Sequence, residues 1–245
     1  MKAHPSDQWR LLDVQALDTR LGQLAHRRST LPAHERVSGL QSRRTALHRD
    51  LVMATTDLAD LQREITKAED DVTLVRDRAA RNQKRLEAGN GPPKELQALQ
   101  HELASLERRQ ADLEDAQLEI MERAEELQNR VTRLDGELGR ADAELTSAGQ
   151  GRDRELAAID DEVEQVRRER ALIVPGLPAD LLALYEKLRE QTGVGAAQLQ
   201  EQRCEGCRLQ LTGADLARIA AADEHEVLRC EECRRILVRT ADSGR

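Results

Sequence analysis

From Leu47 onward the apolar positions of the chain alternate in steps of four and three: Leu47, Leu51, Ala54, Leu58, Leu61, Ile65, Ala68, Val72, Val75 and Ala79. A second series with the same spacing runs from Leu96 and Leu99 through Leu103, Leu106, Leu113, Ile120, Leu127, Leu134 and Ala141 to Ala148, with Gln110 and Gln117 on its core phase. Residues at these offsets return to one side of a helix, and sustained 4–3 spacing with charged flanks predicts a coiled coil. Between the series lies Gly89-Asn90-Gly91-Pro92-Pro93, a strong break. Two long helices on either side of a tight loop predict an antiparallel hairpin with its tip at 89–93.

Side-chain size fixes an expected register. Folding about Gly91 sets Leu58 opposite Ala124, Ala54 opposite Leu127, Ala68 opposite Leu113 and Ala79 opposite Leu103. Large residues then meet small ones, as close packing requires. The glutamines either sit in the seam, where a buried polar group fixes register at some cost in stability, or turn outward from it. Upstream, Val14, Leu17, Leu21, Leu24 and Leu31 predict a further helix ending at Pro32, where a new one starts. Pro32 falls opposite Gly149-Gln150-Gly151, beyond which the apolar phase slips by one before Leu156, Ile159, Val163 and Val166. Both arms are therefore expected to break at one height, near 32 and 149–151, forming a bend or hinge. The same register brings Trp9 back near Ile173.

Composition supports long helices over a single globule. The 245 residues include one Trp, one Tyr and no Phe, while 34% are charged. No apolar run approaches the ~18 residues that a membrane span needs, so no membrane association is expected. Charge is segregated along the hairpin. Residues 57–71 hold six acids and two bases, and the facing 111–125 hold six acids and one base. Toward the tip, Arg76, Arg78, Arg81, Lys84, Arg85 and Lys94 predominate. Such runs are commonly solvated faces; as functional features they make an acidic belt for a basic protein and a basic tip for phosphates. The tip also complements the belt of a second molecule, which allows a homodimer.

All four cysteines lie near the C-terminus as two Cys-x-x-Cys pairs, Cys204/Cys207 and Cys230/Cys233, with 22 residues between the pairs. A two-residue gap lets both thiolates of a pair turn toward one metal, and two pairs complete the tetrahedral shell of one structural Zn²⁺. Disulfides and thioredoxin-like redox use are the competing readings. Against them, Met1 to Arg10 lack an apolar stretch, and no βαβ pattern surrounds the pairs. Reduced thiols without a targeting segment are expected in the cytoplasm. Four thiolates leave no open position for catalysis. His225, between the pairs, reads as a surface loop residue.

The C-terminal module, 175–245, reads as a short helix through Leu181, Leu184, Tyr185 and Leu188, then knuckle, helix, knuckle and short strands. Thr212 to Asp215 resembles a capping box opening the middle helix. The whole is mainly α: a long antiparallel coiled-coil stalk over 1–174 and a small C4 zinc ribbon. Arg203, Arg208, Arg229, Arg234 and Arg235 crowd the cysteines, where they offset the formal charge of a Zn(Cys)₄ centre. Residues 201–245 hold eight arginines against nine acids and no aromatic on which a base could stack, which weighs against nucleic acid there.

The order of these motifs carries a resemblance: a coiled-coil hairpin with Lys94-Glu-Leu-Gln-Ala-Leu99 just past its tip, then Leu181-Leu-Ala-Leu-Tyr185-Glu-Lys-Leu-Arg189, Cys-x-Gly-Cys, and Cys-x-x-Cys-x-Arg-Ile-Leu. This resembles the bacterial C4-type zinc-ribbon family with an N-terminal coiled-coil hairpin. The resemblance implies zinc held by Cys204, Cys207, Cys230 and Cys233. It also implies a non-enzymatic regulatory or adaptor role, its members being linked to transcription factors, mRNA or secretion components. Arg234 departs from the pattern, which has glycine there. The leading expectation is a protein that recruits a macromolecular partner through the ribbon and the stalk ends. The alternative is a nucleic-acid-binding regulator. The candidate contact residues for either are Arg81, Lys84, Arg85, Lys94, Arg208, Arg234 and Arg235. An enzyme is disfavoured, since no phosphate loop, nucleophile elbow or histidine–carboxylate constellation is evident.

Overall fold

The computed structural model describes residues 1–243; the last two residues of the expected ribbon module lie outside them. In chain order the elements are α1 (Pro5–Ser29), α2 (Pro32–Glu87), α3 (Pro93–Ile173), α4 (Ala179–Thr192), β1 (Ala196–Gln200), β2 (Arg203–Cys204), α5 (Gly213–Ala221), β3 (Leu228–Arg229) and β4 (Ile236–Arg239). They form two compact units, one of Glu35–Gly149 and one of Met1–His34 with Gln150 onward. The division differs from the expected boundary at 174/175, because α1 and the last part of α3 pack with the ribbon's own elements.

Within Glu35–Gly149, α2 and the facing part of α3 form the hairpin. Leu58, Leu61 and Ala124 are buried together, with Ile65, Ile120, Leu127 and Val131 packed on them. Leu58 and Ala124, one of the expected large-against-small pairs, fall together in this cluster. Val72 and Ala54 are also buried, whereas the intervening charged positions are exposed. Each buried aliphatic side chain contributes about 1.5–3 kcal/mol, so the seam rather than helix propensity holds the arms together. Arg44–Asp142 (2.9 Å) and Arg78–Glu102 (2.5 Å) pair across the arms. Both pairs are solvated, and each adds at most about 1 kcal/mol. The seam continues past Ala79 to Asn82, buried at the next core position, and half-buried Leu86. Gln110 is half-buried and donates to Glu114 of its own helix (2.8 Å).

The expected break at 149–151 is corrected: α3 runs unbroken from Pro93 to Ile173 through both glycines. The phase slip is real. An insertion of this kind locally unwinds the coil without interrupting the backbone ladder. Flanking packing overrides the roughly 1 kcal/mol that each helical glycine costs. The break near 32 does occur: α1 ends at Ser29, Thr30 donates its N–H to the His26 carbonyl (2.9 Å), and Pro32 opens α2. Leu31 in the connection is buried with Leu24, Ile159 and Val166.

In the second unit the sheet order is β2-β1-β4-β3, with β1 and β4 parallel and the outer pairs antiparallel. The N-terminus joins it. The Ala3 N–H donates to the His225 carbonyl (2.7 Å), and the Val227 N–H donates to that of Met1 (3.1 Å). The core combines Leu11 and Val14 of α1, Leu181, Tyr185 and Leu188 of α4, and Ala196, Ile236 and Val238 of the sheet. Trp9 lies beside the ribbon, its indole N–H donating to the Arg239 carbonyl (2.8 Å), yet half its surface is exposed. Thr212 caps α5 by accepting from the Asp215 N–H (3.2 Å). No helix of the described residues is long and apolar enough to cross a membrane.

Candidate metal centre and its surroundings

The two Cys-x-x-Cys segments fold into near-equivalent knuckles. In the first, the Arg208 N–H donates to the Cys204 carbonyl (2.7 Å) and the Cys204 N–H to that of Leu209 (3.0 Å). In the second, Arg234 donates to Cys230 (2.8 Å) and Cys230 to Arg235 (3.0 Å). Each loop closes through a residue in the left-handed region, Arg208 at φ 60° and Arg234 at φ 62°. Glycine adopts that region without penalty and arginine does not. Arg234, where the family pattern has glycine, thus holds a conformation that favours glycine, and Arg208 does the same in the first knuckle.

The knuckles bring all four sulfurs within 4.8 Å of one another, with Cys204 and Cys233 Sγ at 3.8 Å and Cys207 and Cys230 Sγ at 3.9 Å. Four thiolates about 2.3 Å from one zinc stand about 3.8 Å apart at the corners of a tetrahedron. All four cysteines are free thiols rather than disulfides. Burial pushes the Cys204 and Cys230 thiols up, while the N–H groups of Gly206, Cys207, Glu232 and Cys233 pull the other way. A cation among the sulfurs would supply the stabilisation that thiolates need in this apolar setting. The donor set and its geometry fit one structural Zn²⁺, fully enclosed by sulfur.

Arg235 holds the site together. Its guanidinium donates to the carbonyls of Gly206 (2.7 Å), Val194 (3.2 Å) and Thr192 (3.4 Å), tying the first knuckle to the end of α4. A Cβ at Gly206 would lie 2.9 Å from that of Ala197 and 3.0 Å from Arg235 Cδ, so the knuckle requires glycine there. Of the other candidate contact residues, Arg208 is exposed, and Arg234 is exposed with a 3.4 Å pair to Glu231. Arg81, Lys84, Arg85 and Lys94 are exposed near the tip, and none forms an ion pair among the described residues.

Periodicity alone left one cluster unrecognised. Asp18, buried on α1, accepts from the Tyr185 hydroxyl (2.7 Å) and Arg170 Nε (2.8 Å), with Arg189 Nε at 3.5 Å. Glu186 completes it by pairing with Arg170 and Arg189. The sequence signal is Asp18 falling on the core phase of Leu11, Val14 and Leu21. Nearby, Gln15 Oε1 accepts from the Gly195 N–H (2.7 Å), binding α1 to the start of β1. Every polar group here satisfies another, which describes a fastening between α1, α3 and α4.

A coiled-coil hairpin followed by a four-thiol cage defines a zinc-ribbon protein of the C4 type. The chain matches the CT398-like coiled coil hairpin domain over residues 14–193 and the C4-type zinc ribbon domain over 203–237, and it belongs to the CT398-like family. It is 39% identical over 239 residues to the uncharacterized protein Rv2229c of Mycobacterium tuberculosis, covering 98% of each chain. It is 31% identical over 219 residues to the uncharacterized protein ML1638 of Mycobacterium leprae, covering 89% of this chain and 94% of that one. A solved structure from Mycobacterium smegmatis superposes with a TM-score of 0.87 at 36% identity, covering 98% of this chain and 100% of the other. The structure of CT398 from Chlamydia trachomatis gives 0.71 at 17% identity, covering 96% and 98%, a likeness of fold alone.

Proposed function

We propose that the protein is a non-enzymatic zinc-binding adaptor that recruits a protein partner through its ribbon and hairpin tip, with Cys204, Cys207, Cys230 and Cys233 as the metal ligands. The observation that carries this reading is the closure of the four-sulfur site. A zinc with four thiolates has no position for water or substrate, so its contribution is to fold a small surface. That surface presents Arg208 and Arg234 beside the knuckles. Partner capture with zinc-loaded protein, a Cys204→Ser variant and a tip variant (Arg81→Gln, Lys84→Gln, Arg85→Gln) tests it. A protein retained by the first and lost from either variant is expected. Retention unchanged in both variants would remove the ribbon and the tip from the account.

A second reading, nucleic-acid binding, is favoured by Arg81, Lys84, Arg85 and Lys94 at the tip, which form no ion pair among the described residues. It requires affinity that falls steeply with salt, since each neutralised phosphate releases counterions. The tip variant should then flatten the salt slope by about one for each phosphate it no longer neutralises.

A further inference from the structure

One edge of β1 is only partly paired. Ile236 donates its N–H to the Gly195 carbonyl (3.0 Å), so residues 195, 197 and 199 face β4, and residues 196, 198 and 200 face the opposite edge. On that edge β2 pairs only with Leu199 and Gln200. Beyond β2, Glu205 donates to the Gln198 carbonyl (3.0 Å) before the chain turns into the first knuckle. From α1, Gln15 accepts from the Ala196 N–H (3.4 Å). Between these two bonds the Ala196 carbonyl and the Gln198 N–H have no hydrogen-bond partner among the described residues. Buried backbone groups are rarely left so. Both residues line a groove of about 750 Å³ that Leu12, Ala16 and Thr19 of α1 share with Gly206 and Arg208 of the first knuckle.

We infer that this groove takes an extended segment of a protein partner, which adds to β1 as a short parallel strand. A carbonyl and an N–H two residues apart on one strand edge are bound by a single residue of a parallel neighbour, through its own N–H and carbonyl. Opposed residues of parallel strands point to the same face, and successive residues point to opposite faces. Ala197 packs with the cysteines, whereas Ala196 packs with Leu11 and Val14 of α1. The partner residue opposite Ala197 therefore points to the knuckle, and the one before it points to Leu12 and Ala16. Of the charged groups on the groove, Arg20 lies 3.8 Å from Glu162 and Glu205 pairs with Arg203 (2.9 Å). Arg208 is exposed and has no ion pair among the described residues. The segment that fits is thus an aliphatic residue followed by aspartate or glutamate. Its use in recruitment rests on the adaptor reading, while the slot itself rests on the open edge of β1.

Random heptapeptides displayed on phage and selected on the full zinc-loaded chain test it. Enriched sequences should share the aliphatic–acidic pair. One of them, synthesised, should shift the Gln198 amide resonance downfield and slow its hydrogen exchange. Ala16→Trp, at an exposed helix position, fills the groove and should weaken that peptide at least about tenfold, as should lysine in place of its acidic residue. Arg208→Glu should restore binding of the lysine peptide. Unchanged zinc content and far-ultraviolet circular dichroism would show that the variants keep their fold. No enriched peptide would overturn the inference, as would one that binds Ala16→Trp as tightly as the wild type or leaves the Gln198 amide unmoved. Water alone on the open edge gives that result. A natural partner lost with Cys204→Ser but retained by Ala16→Trp would remove the slot and leave the adaptor reading standing. Peptide binding in the groove with no partner captured would do the reverse.

Discussion

The Tyr185 hydroxyl donates a 2.7 Å hydrogen bond to Asp18, joining α4 to α1 across 167 positions of sequence. Hydrogen bonds to charged groups contribute about 1.5–3 kcal/mol, and an unmet partner in a buried setting costs as much. Tyr185→Phe should therefore lower stability by about 2 kcal/mol, read as a shift in the denaturant midpoint. Arg170 and Arg189 would still hold the Asp18 carboxylate, so the variant should fold.

The same residue gives a pH dependence. Burial pushes the Tyr185 phenol above its ordinary value, and the neighbouring Asp18 carboxylate adds to the shift. The phenol stays neutral in the fold, whereas the unfolded chain ionises near pH 10. Stabilisation is thus complete below about pH 10 and falls as pH rises through and beyond that point. Since Tyr185 is the single tyrosine, Tyr185→Phe should lose less stability than the wild type between pH 8 and pH 11.

Asn82 is buried in the hairpin seam, and its side-chain amide nitrogen has no hydrogen-bond partner among the described residues. An unsatisfied buried donor costs about 1–3 kcal/mol. Asn82→Leu should accordingly raise the melting temperature of the hairpin. A fall would show that the amide is satisfied in solution.

Arg208 and Arg234 close the knuckles in a left-handed conformation that costs an L-residue about 1–2 kcal/mol. Arg234→Gly keeps the backbone hydrogen bonds and relieves that strain. The glycine variant should resist zinc loss to a chelator at least as well as the wild type. Gly206→Ala should do the opposite, because its Cβ has no room against Ala197 and Arg235. Overpacking of that kind costs about 1–3 kcal/mol.

The repetitive parts of this molecule were open to sequence reasoning. A 4–3 spacing over many turns and the size matching of Leu58 with Ala124 fix a seam with little help from distant contacts. Two Cys-x-x-Cys pairs likewise specify a cage whatever surrounds them. The continuity of α3 through Gly149 and Gly151 was not legible, because glycine and a phase slip lower local propensity while packing on both sides keeps the helix whole. The role of Arg235 was hidden too: an arginine beside cysteines gives no sign that its guanidinium will reach back to Thr192 and Val194. α1 docks through Leu11 and Val14, but the polar fastenings beside them, Gln15 to Gly195 and Asp18 to Tyr185, lie at residues that hydrophobic periodicity discards.

The adaptor reading stands on a metal site closed by four sulfurs. Metal content and zinc-edge X-ray absorption on the purified full chain test it most directly. One zinc per chain, with four sulfur neighbours at about 2.3 Å and no lighter ligand, is expected. A nitrogen or oxygen neighbour in the first shell, or fewer than four sulfurs, would contradict it, because an open position would return catalysis to consideration.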